Sequence, residues 1–296
     1  MLHLENGELR LDVLDPTHER HLLGLRFCSG GYIWQVHDPS AGPLVTGPQW
    51  PHPTPGPYNG QGLPESFRHR TREGRPLTWT GQRGVACGVG EIASDANGDV
   101  SLVEPCTWTI AREPDRLVFQ TRHTVAGFDC EVTRRLILTG RTVVSESQLT
   151  NHADEPMGLE WFAHPFFATG TNGAIRAGLP MGMRLPDNPG FSIEDQVLTP
   201  KRPFTHERDG HMDFLQFPPL IAPEFRINHP TLTGVKFTPS FAPSECVVWG
   251  NHITFSIEPY HVLNVPPGGT QQWSLRYDFG TVSKIVSDGS NARRPD

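Results

Sequence analysis

The sequence predicts an all-β protein. Short segments in which apolar and polar residues alternate recur along most of the 296 residues, as they do in half-buried antiparallel strands. The 30 Gly and 29 Pro lie between these segments, where they favour turns. No amphipathic helix longer than about three turns can be recognised. We therefore expect large antiparallel sheets joined by many turns.

A series of four alternating segments gives the clearest strand signal. They are Trp108–Ile110, Leu117–Thr121, Cys130–Leu138 and Val143–Leu149. Turn-forming Gly, Asp, Asn and Pro residues separate them at short intervals. The series predicts an antiparallel meander.

The flanking regions continue the same pattern. Further strands are expected at Glu8–Val13, Leu22–Phe27, Tyr32–Val36, Ile253–Ile257, Val262–Val265 and Gln272–Phe279. Two stretches rich in Gly and Pro, residues 38–64 and 174–230, predict long irregular connections. No break in composition marks a second domain, so we expect one domain over residues 1–280 and a polar tail over residues 281–296.

Charge and composition restrict the partners and the location. The net charge is −7 and no long basic run exists, so neither nucleic acid nor an anionic membrane surface is expected as a partner. The chain has no apolar run of about 18 residues and no signal-peptide pattern, which predicts a cytoplasmic protein. Five scattered Cys residues without a C-x-x-C pair predict buried thiols. We expect a monomer or a homodimer.

Two segments carry a resemblance to a known family. A strand, a turn beginning with Asn151 and a second strand end in His164-Pro165-Phe166-Phe167, and Glu258-Pro259 later precedes a Pro-Gly turn and an aromatic last strand. In this order they resemble the aldose 1-epimerase (galactose mutarotase-like) superfamily. The resemblance covers roughly residues 4–280. It implies a β-supersandwich with large antiparallel sheets, in which the larger sheet has a concave sugar-binding face.

The resemblance also implies an activity. It implies an isomerase that interconverts the α and β anomers of a hexose or a hexose derivative without a metal or cofactor. Glu258 is then the general base and His164 the general acid, and we expect them on opposite sides of the sugar ring. The upstream Asn-Arg and His-Gly-Gly segments of the galactose mutarotases are not found, so the resemblance does not imply galactose as the substrate.

Six further residues are candidates for substrate binding. They are Glu65, Arg68, Arg70, Trp161, His211 and Asp213. The first three follow a Gly- and Pro-rich loop, and a guanidinium offers several donors to hydroxyl, carboxylate or phosphate groups. A tryptophan can stack on a sugar, although most tryptophans are core residues. The histidine and the aspartate lie in a polar run that lacks a metal-ligand spacing, so no metal site is expected.

Other functions remain open at this point. The same fold can carry a non-catalytic carbohydrate-binding protein, a lyase or a glycoside hydrolase. A hydrolase would be indicated if Glu65 or Asp213 lay about 5 to 9.5 Å from Glu258. Taken singly, His164 could also be a core histidine and Glu258 a solvent-facing carboxylate.

Overall fold

The computed structural model describes residues 1–170, 174–219 and 222–283. Within these ranges, 24 strands and one 3-10 turn at Arg20–Leu22 make up the regular structure. The prediction of an all-β protein is therefore confirmed. None of the described segments forms a helix long and apolar enough to cross a membrane.

The strands are numbered in chain order. The first thirteen are β1 (Leu2–Glu5), β2 (Arg10–Val13), β3 (Ile33–Asp38), β4 (Gly42–Pro43), β5 (Glu65–Arg68), β6 (Trp79–Thr80), β7 (Arg83–Ala86), β8 (Gly90–Ser94), β9 (Val100–Pro105), β10 (Thr109–Glu113), β11 (Arg116–Val125), β12 (Phe128–Thr139) and β13 (Thr142–Asn151). The others are β14 (Met157–Ala163), β15 (Phe167–Ala168), β16 (Ala177–Gly178), β17 (Phe191–Glu194), β18 (Val197–Pro200), β19 (His211–Phe214), β20 (Phe225–Ile227), β21 (Val235–Pro239), β22 (Glu245–Gly250), β23 (Thr254–Val265) and β24 (Thr270–Phe279).

These strands form four antiparallel sheets. The large sheet has ten strands in the order β10-β11-β12-β13-β24-β21-β20-β16-β18-β17. A second sheet, here called the site sheet, has the order β19-β22-β23-β14-β5, and β15 also pairs with β23. Two smaller sheets consist of β1 to β4 and of β6 to β9.

Most predicted strands are present, with one exception near the N-terminus. The meander is confirmed as β10 to β13, which pair in sequence in the large sheet. The prediction of a strand at Leu22–Phe27 is wrong. This segment begins at the last residue of the 3-10 turn and does not pair with any of the described strands. One Arg20 side-chain nitrogen donates to the carbonyls of Leu23 and Gly24 at 3.0 and 3.2 Å. These side-chain bonds occupy carbonyl groups that a strand would offer to a neighbour.

The two irregular stretches differ from each other. Within the first stretch, residues 38–64, only the end of β3 and the two-residue strand β4 are regular, whereas the second stretch contains the short strands β16 to β20. The single domain over residues 1–280 stays a prediction. Residues 284–296, most of the expected polar tail, lie outside the described residues.

A hydrophobic core lies between the large sheet and the site sheet. Trp161 of β14 is fully buried there and its ring packs against Phe67 of β5 and Trp273 of β24, with centroids 4.3 and 5.3 Å away. Aromatic pairs at such distances add to the stabilisation from burial. This packing holds β5 and β14 against the large sheet.

A buried ion pair crosses the same core. One Arg134 nitrogen (Nη2) on β12 lies 2.5 Å from a Glu65 oxygen (Oε1) on β5, and both side chains are almost completely buried. The Ser145 hydroxyl lies 2.5 Å from the same oxygen. Removing one partner of such a pair leaves an uncompensated charge in the core. The pair therefore connects the edge strand of the site sheet to the large sheet.

This ion pair makes a prediction about stability. Glu65→Leu leaves the Arg134 charge buried without its partner and should lower the free energy of unfolding by about 3–5 kcal/mol. The double variant Glu65→Leu/Arg134→Met replaces the pair by apolar groups and should recover most of that loss. Urea unfolding of the wild type, both single variants and the double variant measures the coupling. Additive losses in the double variant would contradict a buried ion pair at this position.

Candidate functional site

The strands β14 and β23 separate at Pro259. Their last paired residues are Phe162 and Tyr260. The Tyr260 carbonyl accepts a hydrogen bond from the Ser244 N–H on the β22 side, and successive residues of a strand turn to opposite neighbours. The backbone nitrogen and carbonyl of the adjacent Pro259 therefore point toward β14, and proline has no N–H to donate there. The missing donor ends the ladder at this point.

His164 lies in the gap that this separation opens. Its N–H donates to the Pro64 carbonyl at 2.9 Å, and the Phe166 N–H donates to the Gly62 carbonyl at 2.8 Å. The chain then rejoins β23 through β15, where Phe167 is opposite Phe255. The carbonyl groups of Gly62 and Pro64, just before β5, therefore accept the backbone hydrogen bonds of the gap. The His164 imidazole can then face β23.

His164 and Glu258 meet across this gap. One imidazole nitrogen (Nε2) lies 3.2 Å from a carboxylate oxygen (Oε1), and the side chains are only 4 % and 5 % exposed. Four aromatic rings surround the imidazole, with centroids 4.5 Å (Phe166), 6.0 Å (Phe27), 6.2 Å (Trp249) and 6.4 Å (Phe162) away. The two groups form an acid–base pair in a largely apolar environment.

Burial changes the proton affinity of both groups. It raises the pKa of Glu258 to about 7, with Arg26 opposing the increase, because burial disfavours the charged carboxylate. Burial, together with the positive charge of Arg26, holds the pKa of His164 well below its usual value. The other His164 nitrogen (Nδ1) is buried without a hydrogen-bond partner. We therefore assign the proton of the neutral imidazole to the nitrogen that faces Glu258.

A cleft of about 470 Å³ adjoins the pair. Its lining residues are Leu25, Arg26, Tyr58, Ser66, Phe67, Arg68, His69, Arg70 and Phe162. Phe162 also flanks the His164 ring, and the charge of Arg26 acts on both His164 and Glu258. These two residues connect the cleft to the acid–base pair.

Arg68 forms one wall of this cleft. Its guanidinium lies 4.0 Å from the centroid of the Tyr260 ring, which stacks on Phe162 with centroids 4.5 Å apart. One of its nitrogens (Nη1) lies 3.0 Å from a Glu160 oxygen and 3.5 Å from a Glu245 oxygen. A polar and aromatic wall of this kind is typical of sites for small polar molecules.

Comparison with known proteins defines the fold. The chain is similar to a galactose mutarotase related enzyme from Lactobacillus acidophilus (TM-score 0.60, 11 % identity, 96 % of this chain and 98 % of that chain). It is similar to a galactose mutarotase-like protein from Lactobacillus casei (TM-score 0.61, 11 % identity, 94 % and 99 % of the chains). The chain has the galactose mutarotase-like fold.

A third similar structure has a name that includes an activity. It is a provisionally named aldose 1-epimerase from Escherichia coli, with a TM-score of 0.55, 17 % identity and coverage of 94 % of this chain and 98 % of that chain. No protein-family model and no curated protein sequence matches the chain. At these identities the comparisons define the mutarotase-like fold and not the activity.

On this mutarotase-like fold, four of the eight predicted site residues lie together. His164 and Glu258 are in contact, and Arg68 and Arg70 line the adjoining cleft. The resemblance had implied a site on the larger sheet, which is wrong for these residues. His164 follows β14 and Glu258 belongs to β23, both strands of the six-stranded site sheet.

Glu65 and Trp161 lie on the other face of the site sheet. Glu65 binds Arg134 in the core and Trp161 packs between the two sheets. Successive side chains of a strand point to opposite faces, so Ser66 and Phe162 face the cleft while their neighbours Glu65 and Trp161 do not. The structure does not support these two residues as substrate contacts.

His211 and Asp213 also point away from the acid–base pair. Phe214 is opposite Val247, which in turn is opposite Glu258. Residues directly opposite each other in a sheet share a face, so Asp213 lies on the reverse face, as does His211 two positions earlier. The His211 ring instead packs against Phe191, with centroids 5.9 Å apart. Their prediction as substrate contacts is not supported either.

Four residues of the site are not among the eight predicted site residues. Arg26 and Tyr58 line the cleft, and Tyr260 and Trp249 border it or the imidazole. Tyr260 lies two residues after Glu258, and counting by two along that strand places both on one face. Arg26 belongs to a segment for which the sequence predicts a strand and no substrate contact. Among the residues that the structure describes, no group of three or more His, Cys, Asp or Glu side chains is arranged to hold a metal ion.

The burial of Glu258 predicts a pH-dependent effect on stability. Its folded-state pKa of about 7 lies above the ordinary value of about 4.3. Burying the charged carboxylate therefore destabilises the fold increasingly as pH rises from about 4 to 7. Glu258→Gln should increase the free energy of unfolding at pH 8 by up to about 4 kcal/mol and change it little at pH 4.5.

Urea unfolding at both pH values measures this difference. Asp213→Asn removes a carboxylate from the reverse face of the site sheet and serves as the control. A Glu258→Gln variant with the same effect at both pH values would show that the carboxylate is not desolvated.

Proposed function

We propose that the protein is an aldose 1-epimerase-like isomerase that interconverts the α and β anomers of a hexose or a hexose derivative. The contact between His164 and Glu258 beside the cleft carries this proposal. A carboxylate whose pKa is near 7 is well suited to act as a general base at neutral pH. The imidazole next to it donates a proton in its imidazolium form, when the two groups hold one shared proton.

The reaction needs one proton acceptor and one proton donor. In the pair that holds one shared proton, the Glu258 carboxylate takes the proton of the anomeric hydroxyl while the His164 imidazolium protonates the ring oxygen, and the bond between C1 and the ring oxygen breaks. The pair is left as a carboxylic acid beside a neutral imidazole, so it still holds one proton. The open-chain aldehyde rotates about C1–C2, and the reverse transfers close the ring to the other anomer. One proton is taken and one is given in each direction, so atoms and charge balance.

The arrangement corrects one expectation about the geometry. We had expected the base and the acid on opposite sides of the sugar ring, but the two groups lie side by side, 3.2 Å apart. The anomeric hydroxyl and the ring oxygen are bonded to the same carbon, so one edge of the sugar presents both oxygens. An adjacent acid and base can therefore serve both atoms once the sugar replaces their direct contact.

A paired-carboxylate glycoside hydrolase receives no support from the residues that would have indicated it. Glu65 and Asp213 both lie on the reverse face of the site sheet relative to Glu258. Such an enzyme needs two carboxyl groups that flank the same glycosidic bond. The isomerase therefore remains the function that the geometry supports best.

The first test is the approach of freshly dissolved sugars to anomeric equilibrium. Polarimetry or NMR with glucose, galactose and glucose 6-phosphate should show acceleration by the wild type. Glu258→Gln and His164→Asn should each lower kcat/KM by about 10²–10⁴-fold, since each removes one proton-transfer group. Asp213→Asn is the matched control and should retain the activity. Failure of the wild type to accelerate any sugar would reject the proposal in favour of a binding protein or another chemistry.

The second test is the pH dependence of the same reaction. The pair acts only while it holds one shared proton, and it loses that proton as the pH rises through the raised Glu258 pKa of about 7. We therefore expect kcat/KM to fall with pH through a midpoint near 7. His164 alone supplies no proton above this midpoint, because its lowered pKa leaves it neutral there. A kcat/KM that rises through pH 7, or stays constant from pH 5 to 9, would contradict the role of the pair.

A further inference from the structure

Two arginines in the cleft lack a carboxylate partner. Arg26 and Arg70 both line it, and no carboxylate of the described residues lies within 4.0 Å of either guanidinium. Arg68 differs, because Glu160 and Glu245 offset its charge. In a chain with a net charge of −7, two unpaired arginines in one cleft indicate a site of local positive potential.

Aromatic rings lie within cation–π distance of both guanidiniums. The Arg26 guanidinium lies 5.0 Å from the centroid of the Phe27 ring and 4.7 Å from that of the Tyr58 ring. The Arg70 guanidinium lies 4.8 Å from the centroid of the Trp79 ring. A cation–π contact uses no N–H group as a hydrogen-bond donor to an oxygen, so these groups can still bind a ligand. One Arg26 nitrogen also donates to the Tyr58 carbonyl at 3.3 Å, and its other N–H groups remain.

The position of these residues suits a ligand that also reaches the acid–base pair. Phe162 borders both the cleft and the His164 ring. Ser66, Arg68 and Arg70 follow one another in the sequence and line the same cleft. A guanidinium edge matches the paired oxygens of a phosphate or a carboxylate. A neutral hexose would leave these donors to water.

We infer that the cleft binds a sugar that carries a phosphate or a carboxylate group, and that Arg26 and Arg70 hold this group while the anomeric carbon faces His164 and Glu258. This inference rests on the proposed function for the orientation of the sugar. The anion itself is assigned from the two unpaired arginines. Phosphate and carboxylate share this recognition chemistry, and the experiment distinguishes them.

The test measures binding in the Glu258→Gln background, so that turnover does not interfere. Isothermal titration calorimetry compares glucose, glucose 6-phosphate and glucuronate as ligands. We expect at least one anionic sugar to bind 10-fold or more tightly than glucose, with the advantage falling as salt is raised. Arg70→Met and Arg26→Met should each reduce the ratio of the glucose and anionic-sugar dissociation constants by about 10-fold. Arg112→Met, which removes the same charge from an exposed position on β10, should leave the ratio unchanged.

The outcomes separate this inference from the proposed function. Tighter binding of glucose 6-phosphate identifies phosphate as the recognised group, and tighter binding of glucuronate identifies carboxylate. Equal binding of all three sugars, or a ratio that survives both arginine substitutions, overturns the inference. Mutarotation of neutral sugars without an anion preference would leave the proposed function intact, whereas an anion preference without mutarotation in the wild type would leave the anion site intact and reject the isomerase.

Discussion

The one-sided opening of strand β23 is the constraint on which the rest of the candidate site depends. Pro259 cannot donate a hydrogen bond toward β14, and pairing between these strands stops at Phe162 and Tyr260. The other edge of β23 stays paired with β22 from Glu245 to Gly250. The strand therefore keeps its place in the sheet while one side is free. That free side is where the imidazole of His164 reaches the carboxylate of Glu258.

The same opening controls the chemistry of the pair. Aromatic rings and the backbone before β5 cover the gap. His164 and Glu258 are therefore shielded from water while their side chains stay in contact with each other. Burial brings the pKa of the carboxylate close to neutrality, and the charge of Arg26 limits that increase. Arg26 thereby affects the pKa of Glu258, and in the anion site proposed above it would also hold the charged group of the sugar.

The sequence predicted more of the fold than of the site. Alternation identified the meander and the long C-terminal strands because it is a local property, and the resemblance selected His164 and Glu258, which the structure brings together. The sequence analysis assigned Trp161 and Asp213 to the site, although neither faces the cleft, because the residue type alone does not indicate which face of a strand is buried. That choice depends on which strands become neighbours, and β19 pairs with β22 more than thirty residues later. Arg26 was not predicted as a substrate contact, because its place in the cleft depends on tertiary contacts with residues that are distant in the sequence.

The Glu65–Arg134 pair has a consequence for how the edge of the site sheet can behave. Strand β5 has only four residues and, among the described strands, pairs with β14 alone, so its ladder by itself resists sliding weakly. Its other edge receives a backbone hydrogen bond from the Cys28 N–H to the Glu65 carbonyl. A shift by one residue would turn every side chain to the opposite face, which would leave the Arg134 guanidinium in the core without its carboxylate. The ion pair thus opposes slippage of this short strand and fixes its register against β14.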